Sequence, residues 1–431
     1  MIQKLKDLLI GRALKSNEAE HEKFSAFWGL PILSSDAISS VSYACEEILM
    51  VLVPILGFGA YRPLLGIAGA IIGLLFILVF SYRQTIQNYP NGGGSYSVAT
   101  DNLGHVPGLI AAASLSIDYV LTVAVSASSG VAAITSAVPE LLPYKVWLAL
   151  LIIALLMLGN LRGIRESSVL FGVPTYLFIG TILTMIVVGL YKAVFVGAAP
   201  AAPPAAPMEP ISDLTIVLFL KAFSSGCTAL TGVEAVSDGI PNFRQPSQKN
   251  AHKVLVLLAL IVLVIFGGVC ALASVYQVAP QESRTVVSQI AAQIFGAHSV
   301  MFYAVQATTA IILIMAANTA FADLPLLLSL LARDGYMARQ FRNRGARLSF
   351  SNGIILLFLV SSLLVVLFHA ETHQLIPLYA VGVFLSFTLS QAGMFTRWIK
   401  RREGSWKHKA LINGFGTLVT AATSFIIADH T

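Results

Sequence analysis

Residues 28–53, WGLPILSSDAISSVSYACEEILMVLV, are apolar enough to cross a bilayer, yet carry a carboxylate in their middle. Few folds accommodate both properties. Asp36 lies among Ser34, Ser35, Ser39, Ser40 and Ser42, at a depth where hydrocarbon is expected. A charge there costs at least ~2.5–3.5 kcal/mol on insertion scales, so it faces an internal cavity and takes a partner. Serine and Pro31 loosen the helix, and carbonyls freed by a break can then line that cavity. The stretch predicts a broken membrane helix that presents oxygen ligands to a cation. The weaker alternative is a kinked helix whose Asp36 bonds a neighbouring span.

The rest of the chain supplies further spans. Apolar residues make up 56% of 431 and charged residues 11%, against roughly 25% charged in soluble domains. At about 20 residues per span, eleven are predicted, near 30–53, 63–87, 107–137, 145–160, 167–192, 213–240, 253–277, 297–324, 350–369, 376–395 and 410–428. The architecture is therefore an all-α polytopic membrane protein. With the N-terminus inside, 22 Lys and Arg fall on the cytoplasmic side and 4 outside, and Lys221 lies within the sixth span. This asymmetry predicts a multi-pass cell-membrane protein with a cytoplasmic N-terminus.

The remaining segments follow from composition. Residues 1–27 are amphipathic and mixed in charge, without a signal cleavage site, and are expected along the cytoplasmic membrane surface. Residues 193–212 contain a Pro/Ala linker, extended and outside. YPNGGGSYSVATDNLG permits close backbone packing or a re-entrant turn, but lacks the residues of a phosphate loop. Cys45, Cys227 and Cys270 have neither metal nor disulfide spacing. The basic residues are scattered among loops, which argues against nucleic acid, and no cofactor motif is present. No nucleophile–base pair appears either, so an enzyme is not expected.

A second interruption occurs in the sixth span, where SSGCTALTG precedes Glu234 and Asp238. Interrupted spans at matching places in two halves point to a transporter site. The third span adds Asp118, Thr122 and Ser126, which share one helix face, with Tyr119 beside them. Thr or Ser alone would be packing glue; Asp118 on the same face turns the reading to function. Asp323 is read as ending the eighth span, more as a cap or pairing residue than a ligand. Tyr379 follows Pro377 and can turn its hydroxyl inward. Glu46 and Glu47 form a mildly cation-attracting vestibule. Lys221 is a snorkelling or paired residue.

Asp36, Asp118 and Glu234 thus place three acids at membrane depth with few bases to neutralise them. Such a cluster needs cations or protons. Tyr43, Thr122, Ser126 and Thr231 add neutral oxygen donors, a shell suited to a weakly hydrated monovalent cation, although a divalent ion also accepts oxygens.

The motifs LSSDAISSVSYACEEIL, SIDYVLTVAVSASSG, GCTALTGVEAVSDGIPNF and ANTAFADLPLLLSLLARDGYMAR, with the glycine loop, resemble the amino acid–polyamine–organocation superfamily. They are most similar to its KimA-type potassium permeases. The resemblance covers nearly all of 20–428. It implies a LeuT-type fold of two inverted five-helix repeats with broken first and sixth helices, here spanning 28–192 and 213–395, and an accessory helix in 396–431. It also implies proton-coupled potassium uptake. Asp36, Tyr43, Asp118, Tyr119, Thr122, Ser126, Thr231, Glu234 and Tyr379 would hold potassium, the only metal, with Glu234 or Asp118 carrying the coupling proton. Members have twelve helices, and KimA-type ones continue into a soluble cytoplasmic domain, so the chain is expected to be truncated after the eleventh. Homodimerisation and cyclic di-AMP regulation are tied partly to that region. An amino-acid or polyamine permease of the same superfamily is the alternative. Amino-acid members, however, carry small, glycine-rich first breaks, whereas SSDAIS would repel a substrate carboxylate. A channel is disfavoured by the internal halves and the lack of a filter motif.

Overall fold

The structure is a computed structural model that describes residues 23–92, 94–162, 168–197, 213–342 and 350–429. Most of the N-terminal segment and of the Pro/Ala linker lie outside these residues. In lipid, backbone polar groups must be satisfied within the chain, and the apolar runs accordingly become helices. These are α1 (Ala26–Leu56), α2 (Tyr61–Asn88), α3 (Gly94–Leu103), α4 (His105–Ala137), α5 (Lys145–Leu161), α6 (Ser168–Tyr191), α7 (Ile216–Gly226) and α8 (Ala235–Asp238). They continue as α9 (Ser247–Tyr276), α10 (Val286–Phe295), α11 (Val300–Arg333), α12 (Ser351–Leu367), α13 (Thr372–Arg401) and α14 (Trp406–Asp429).

Each of the eleven expected spans coincides with a helix, the sixth with the interrupted pair α7 and α8. At the centre, α1 packs against α9, α11 and the sixth span, while α4 packs along α11 and α13. Leu411, Phe415, Leu418 and Phe425 leave an apolar outer face on α14, as a lipid-facing helix requires.

Three expectations are corrected. The first span is not broken: α1 is helical from Ala26 to Leu56. Its serines turn back onto their own helix instead of releasing it. Ser39 Oγ and Ser40 Oγ donate to the Asp36 carbonyl at 2.9 and 2.8 Å, and Ser42 Oγ donates to the Ser39 carbonyl at 2.6 Å. Such back-bonding bends helices without opening them. Secondly, the eighth span does not stop before Pro325. α11 runs through that proline, which places Asp323 inside a helix. Gly353 of α12 allows the close pass, since a Cβ there would lie 2.8 Å from the Pro325 Cα. Thirdly, two helices were not expected as elements. One is α3, formed from the glycine loop. The other is α10, capped by Thr285 Oγ1 accepting from Ser288 N–H at 3.3 Å and burying Val286, Ile290 and Ile294.

The glycine loop packs closely, as its composition suggested. Gly92 (φ +78°) and Gly94 (φ +34°) press against Asp238, where added Cβ atoms would come within 2.7 Å of its carbonyl and 3.2 Å of its carboxylate. The Asp238 carboxylate also accepts from the Gly94 backbone, at the positive N-terminal end of α3. Asp238 therefore anchors α3.

Candidate functional site

The site begins at the interruption of the sixth span. α7 ends at Gly226, and a tight turn over Cys227–Leu230 leads to an extended Thr231. Thr228 Oγ1 and Thr231 Oγ1 donate to the carbonyls of Ser225 and Thr228, both at 2.9 Å. Gly232 then takes φ +75°, a left-handed conformation open chiefly to glycine. A Cβ on Gly232 would sit 2.6 Å from Asp36 Oδ2 and 2.9 Å from the Ala37 nitrogen. Bare backbone thus rests against α1 at its buried acid.

Around this contact lies a cavity of about 140 Å³. Asp36, Asp118, Tyr119, Thr122 and Glu234 line it, as the sequence predicted for one site. Asp323 lines it too, from the interior of α11, together with Thr319, Asn242 and Gly232. Asp36, Asp118 and Glu234 are 9%, 3% and 3% exposed. Asp36 Oδ1, Asp118 Oδ1 and Glu234 Oε2 are buried and find no hydrogen-bond partner among the described residues. The carboxyl groups of Asp118 and Glu234 also come within hydrogen-bond reach of each other. Buried acceptors left open are costly, so this arrangement calls for a cation, a proton or water. Among the described residues no three His, Cys, Asp or Glu side chains stand close enough to hold one metal ion. An ion here would draw on hydroxyl and carbonyl oxygens as well.

The other predicted site residues do not line this cavity. Tyr43 OH donates to Ser40 Oγ at 2.9 Å, and Ser40 Oγ meets Thr231 Oγ1 at 2.9 Å. Thr122 Oγ1 donates to Tyr379 OH at 3.1 Å. Thr231, Tyr379 and Ser126 are buried and line neither this cavity nor the next. Tyr43 instead lines a second cavity of about 240 Å³, with Glu46 and Glu47. The Lys145–Glu371 ion pair stands on the wall of that vestibule. Lys221 is exposed on α7.

Sequence reasoning did not single out Gly232, Asn242 and Thr319, and it read Asp323 as a cap or pairing residue, whereas all four line the cavity. A glycine directly after the SSGCTALT run was the available signal for Gly232. Nothing local marked Asn242 or Thr319, because their place depends on how α11 and the end of the sixth span pack.

Comparisons with known proteins bear on the whole chain. Residues 27–428 match the amino acid permease family. The chain is 47% identical over 420 residues to the potassium transporter KimA of Bacillus subtilis (strain 168), covering 97% of this chain and 69% of that protein. Among solved structures, MhsT in complex with L-phenylalanine superposes with a TM-score of 0.52 at 12% identity, over 94% of this chain and 99% of that one. A sodium-coupled sialic acid symporter gives a TM-score of 0.48 at 14% identity, over 96% and 90% of the two chains. The likeness to MhsT concerns the fold alone.

Proposed function

The chain belongs to the amino acid permease family, as a KimA-like member, and from that premise we propose that it imports potassium together with protons by alternating access. It is a multi-pass membrane transporter and not an enzyme. The observation that carries the reading is the convergence of Asp36, Asp118 and Glu234, each with an open carboxylate oxygen, on one small cavity.

Size favours an ion over a larger substrate. Pockets for small organic ligands span ~300–1,000 Å³, whereas this cavity measures about 140 Å³. It suits a partly dehydrated ion or a few waters better than an amino acid or polyamine. Acids at the contact with α1 would also repel a substrate carboxylate.

In this reading Asp36, Asp118, Tyr119, Thr122 and Glu234 hold potassium along its passage through the cavity, the three acids not gripping it all at once. Tyr43, Ser126, Thr231 and Tyr379 complete its shell when their hydroxyl layer rearranges. Glu234 and Asp118, whose carboxyl groups meet, exchange the coupling proton. The segments 28–192 and 213–395 are two inverted repeats, and the N-terminus is cytoplasmic. Homodimerisation and control by cyclic di-AMP are carried over from the family resemblance alone.

The test is potassium-dependent uptake in cells lacking their own importers, comparing the unmodified full-length protein with Asp36→Asn. Loss of uptake in the variant at equal expression is expected. Retained uptake at low external potassium would remove Asp36 from the ligand set. Uptake saturated by an amine and indifferent to potassium would turn the assignment to an amine permease.

A further inference from the structure

The 240 Å³ outer vestibule is a cavity distinct from the one around Asp36. Its inner end carries oxygens whose protons are committed elsewhere. Tyr43 OH gives its proton to Ser40 Oγ at 2.9 Å, and Thr309 Oγ1 gives its own to the Val305 carbonyl at 2.7 Å. Both residues line the vestibule, so each has lone pairs to offer. Ser128 is 2% exposed and also lines it, and its Oγ has no hydrogen-bond partner among the described residues.

The carboxylates beside these hydroxyls are not equivalent. Glu46 is engaged, with Oε2 accepting from the Val286 N–H at 3.2 Å. Glu371 is paired with Lys145, and His373 Nδ1 lies 3.6 Å from its other oxygen. Glu47 is 6% exposed, one helical turn beyond Tyr43, and forms no hydrogen bond or ion pair among the described residues. Every charged group on the vestibule wall enters the balance. Glu46, Glu47, Glu282 and Glu371 stand against Lys145 and Arg284, with His373 beside them. The wall thus carries four carboxyl groups against two bases, with hydroxyl acceptors beside them.

We propose that Glu47, with the hydroxyl oxygens of Ser128, Tyr43 and Thr309, forms a second binding site for a partly hydrated monovalent alkali cation in the outer vestibule. One free carboxylate and neutral hydroxyls match a single positive charge. Calcium favours several carboxylates at once, and magnesium a rigid octahedron. The binding itself stands on vestibule chemistry; its role as a feeder to the inner cavity rests on the cation-transport reading above.

Equilibrium binding of radioactive rubidium to the full-length protein in lipid nanodiscs tests this. The unmodified protein is expected to bind two ions, and Glu47→Gln one. Asp36→Asn is expected to lose the inner ion and keep the outer one. In uptake assays Glu47→Gln is expected to raise the half-saturating concentration about tenfold, the loss of one charge-assisted contact, with the maximal rate within about twofold. Glu47→Asp should restore binding in part, and Ser128→Ala should weaken the outer ion while the thermal midpoint holds, which separates ligand loss from misfolding. Unchanged rubidium stoichiometry in Glu47→Gln would overturn the vestibule site. Displacement of the outer ion by micromolar calcium would overturn its monovalent class. Two ions retained in Asp36→Asn would instead strike the inner-site reading and leave the vestibule site standing.

Discussion

Gly232 shows how much of the site rests on one residue. Its φ of +75° costs an L side chain roughly 1–2 kcal/mol, and a Cβ would also press on Asp36 Oδ2 and the Ala37 nitrogen. Gly232→Ala is therefore expected to push the sixth span off α1, cutting uptake at least about tenfold and lowering the thermal midpoint. Transport assays beside a melting curve in detergent would check both. The three acids were legible beforehand because a charge inside an apolar run has few structural excuses. Gly232 was not, since its value lies in what it touches, and Asp36 is nearly two hundred positions away. The division of Tyr43, Ser126, Thr231 and Tyr379 from the cavity lining was equally hidden. It depends on the depth and rotation of three helices and of the break in the sixth span, which no local pattern encodes.

Among elements, the interruption of the sixth span was legible, and that of the first was a misreading. Both stretches are rich in hydroxyls, but a serine in a membrane helix has two uses. It can replace a lost backbone partner, or it can bond the carbonyl three or four residues back. Both spans take the second course, and it is the left-handed glycine after Thr231 that opens the sixth. α10 escaped notice because ten residues fall well short of a span. α3 has a role the sequence did not disclose: it joins the end of the sixth span, through Asp238, to the end of α11. There Tyr96 OH donates to Asp334 Oδ2 at 2.5 Å. Burial and the neighbouring Asp334 carboxylate raise the Tyr96 phenol above its ordinary 10.0. Below pH 10 the phenol is neutral whether the chain is folded or not. Above it the unfolded chain loses the proton first, so stability falls by up to about 1.4 kcal/mol per pH unit. Tyr96→Phe is expected to flatten this alkaline decline between pH 10 and 11, read as the thermal midpoint against pH. An identical slope in the variant would assign the decline to other groups.

For the molecule as a whole, composition carried the most weight. The polytopic all-α character followed from length and hydropathy, and the proposed orientation follows from 22 basic residues against 4. Cys45, Cys227 and Cys270 are all buried, so introduced thiols can report sidedness against a low background. Glu140→Cys, in the exposed turn before α5, is expected to react with an impermeant reagent on intact cells. Ser405→Cys, between α13 and α14, is expected to react only after permeabilisation. The reverse pattern would invert the topology.

The hydroxyl layer of Ser40, Thr231, Thr122 and Tyr379 also has an electrical meaning. Asp36 and Tyr43 are seven residues apart on α1, about 10 Å of helix, yet they line different cavities. In the proposed transport cycle the two cavities are hydrated from opposite sides and behave as conductors, so the membrane voltage concentrates across the partition between them. A charge crossing the full voltage exchanges about 2.3 kcal/mol for every ~100 mV. Here most of that work falls on a single passage through four hydroxyls. In the proposed cycle the cell's voltage therefore acts on one step of the journey, the one in which the partition gives way.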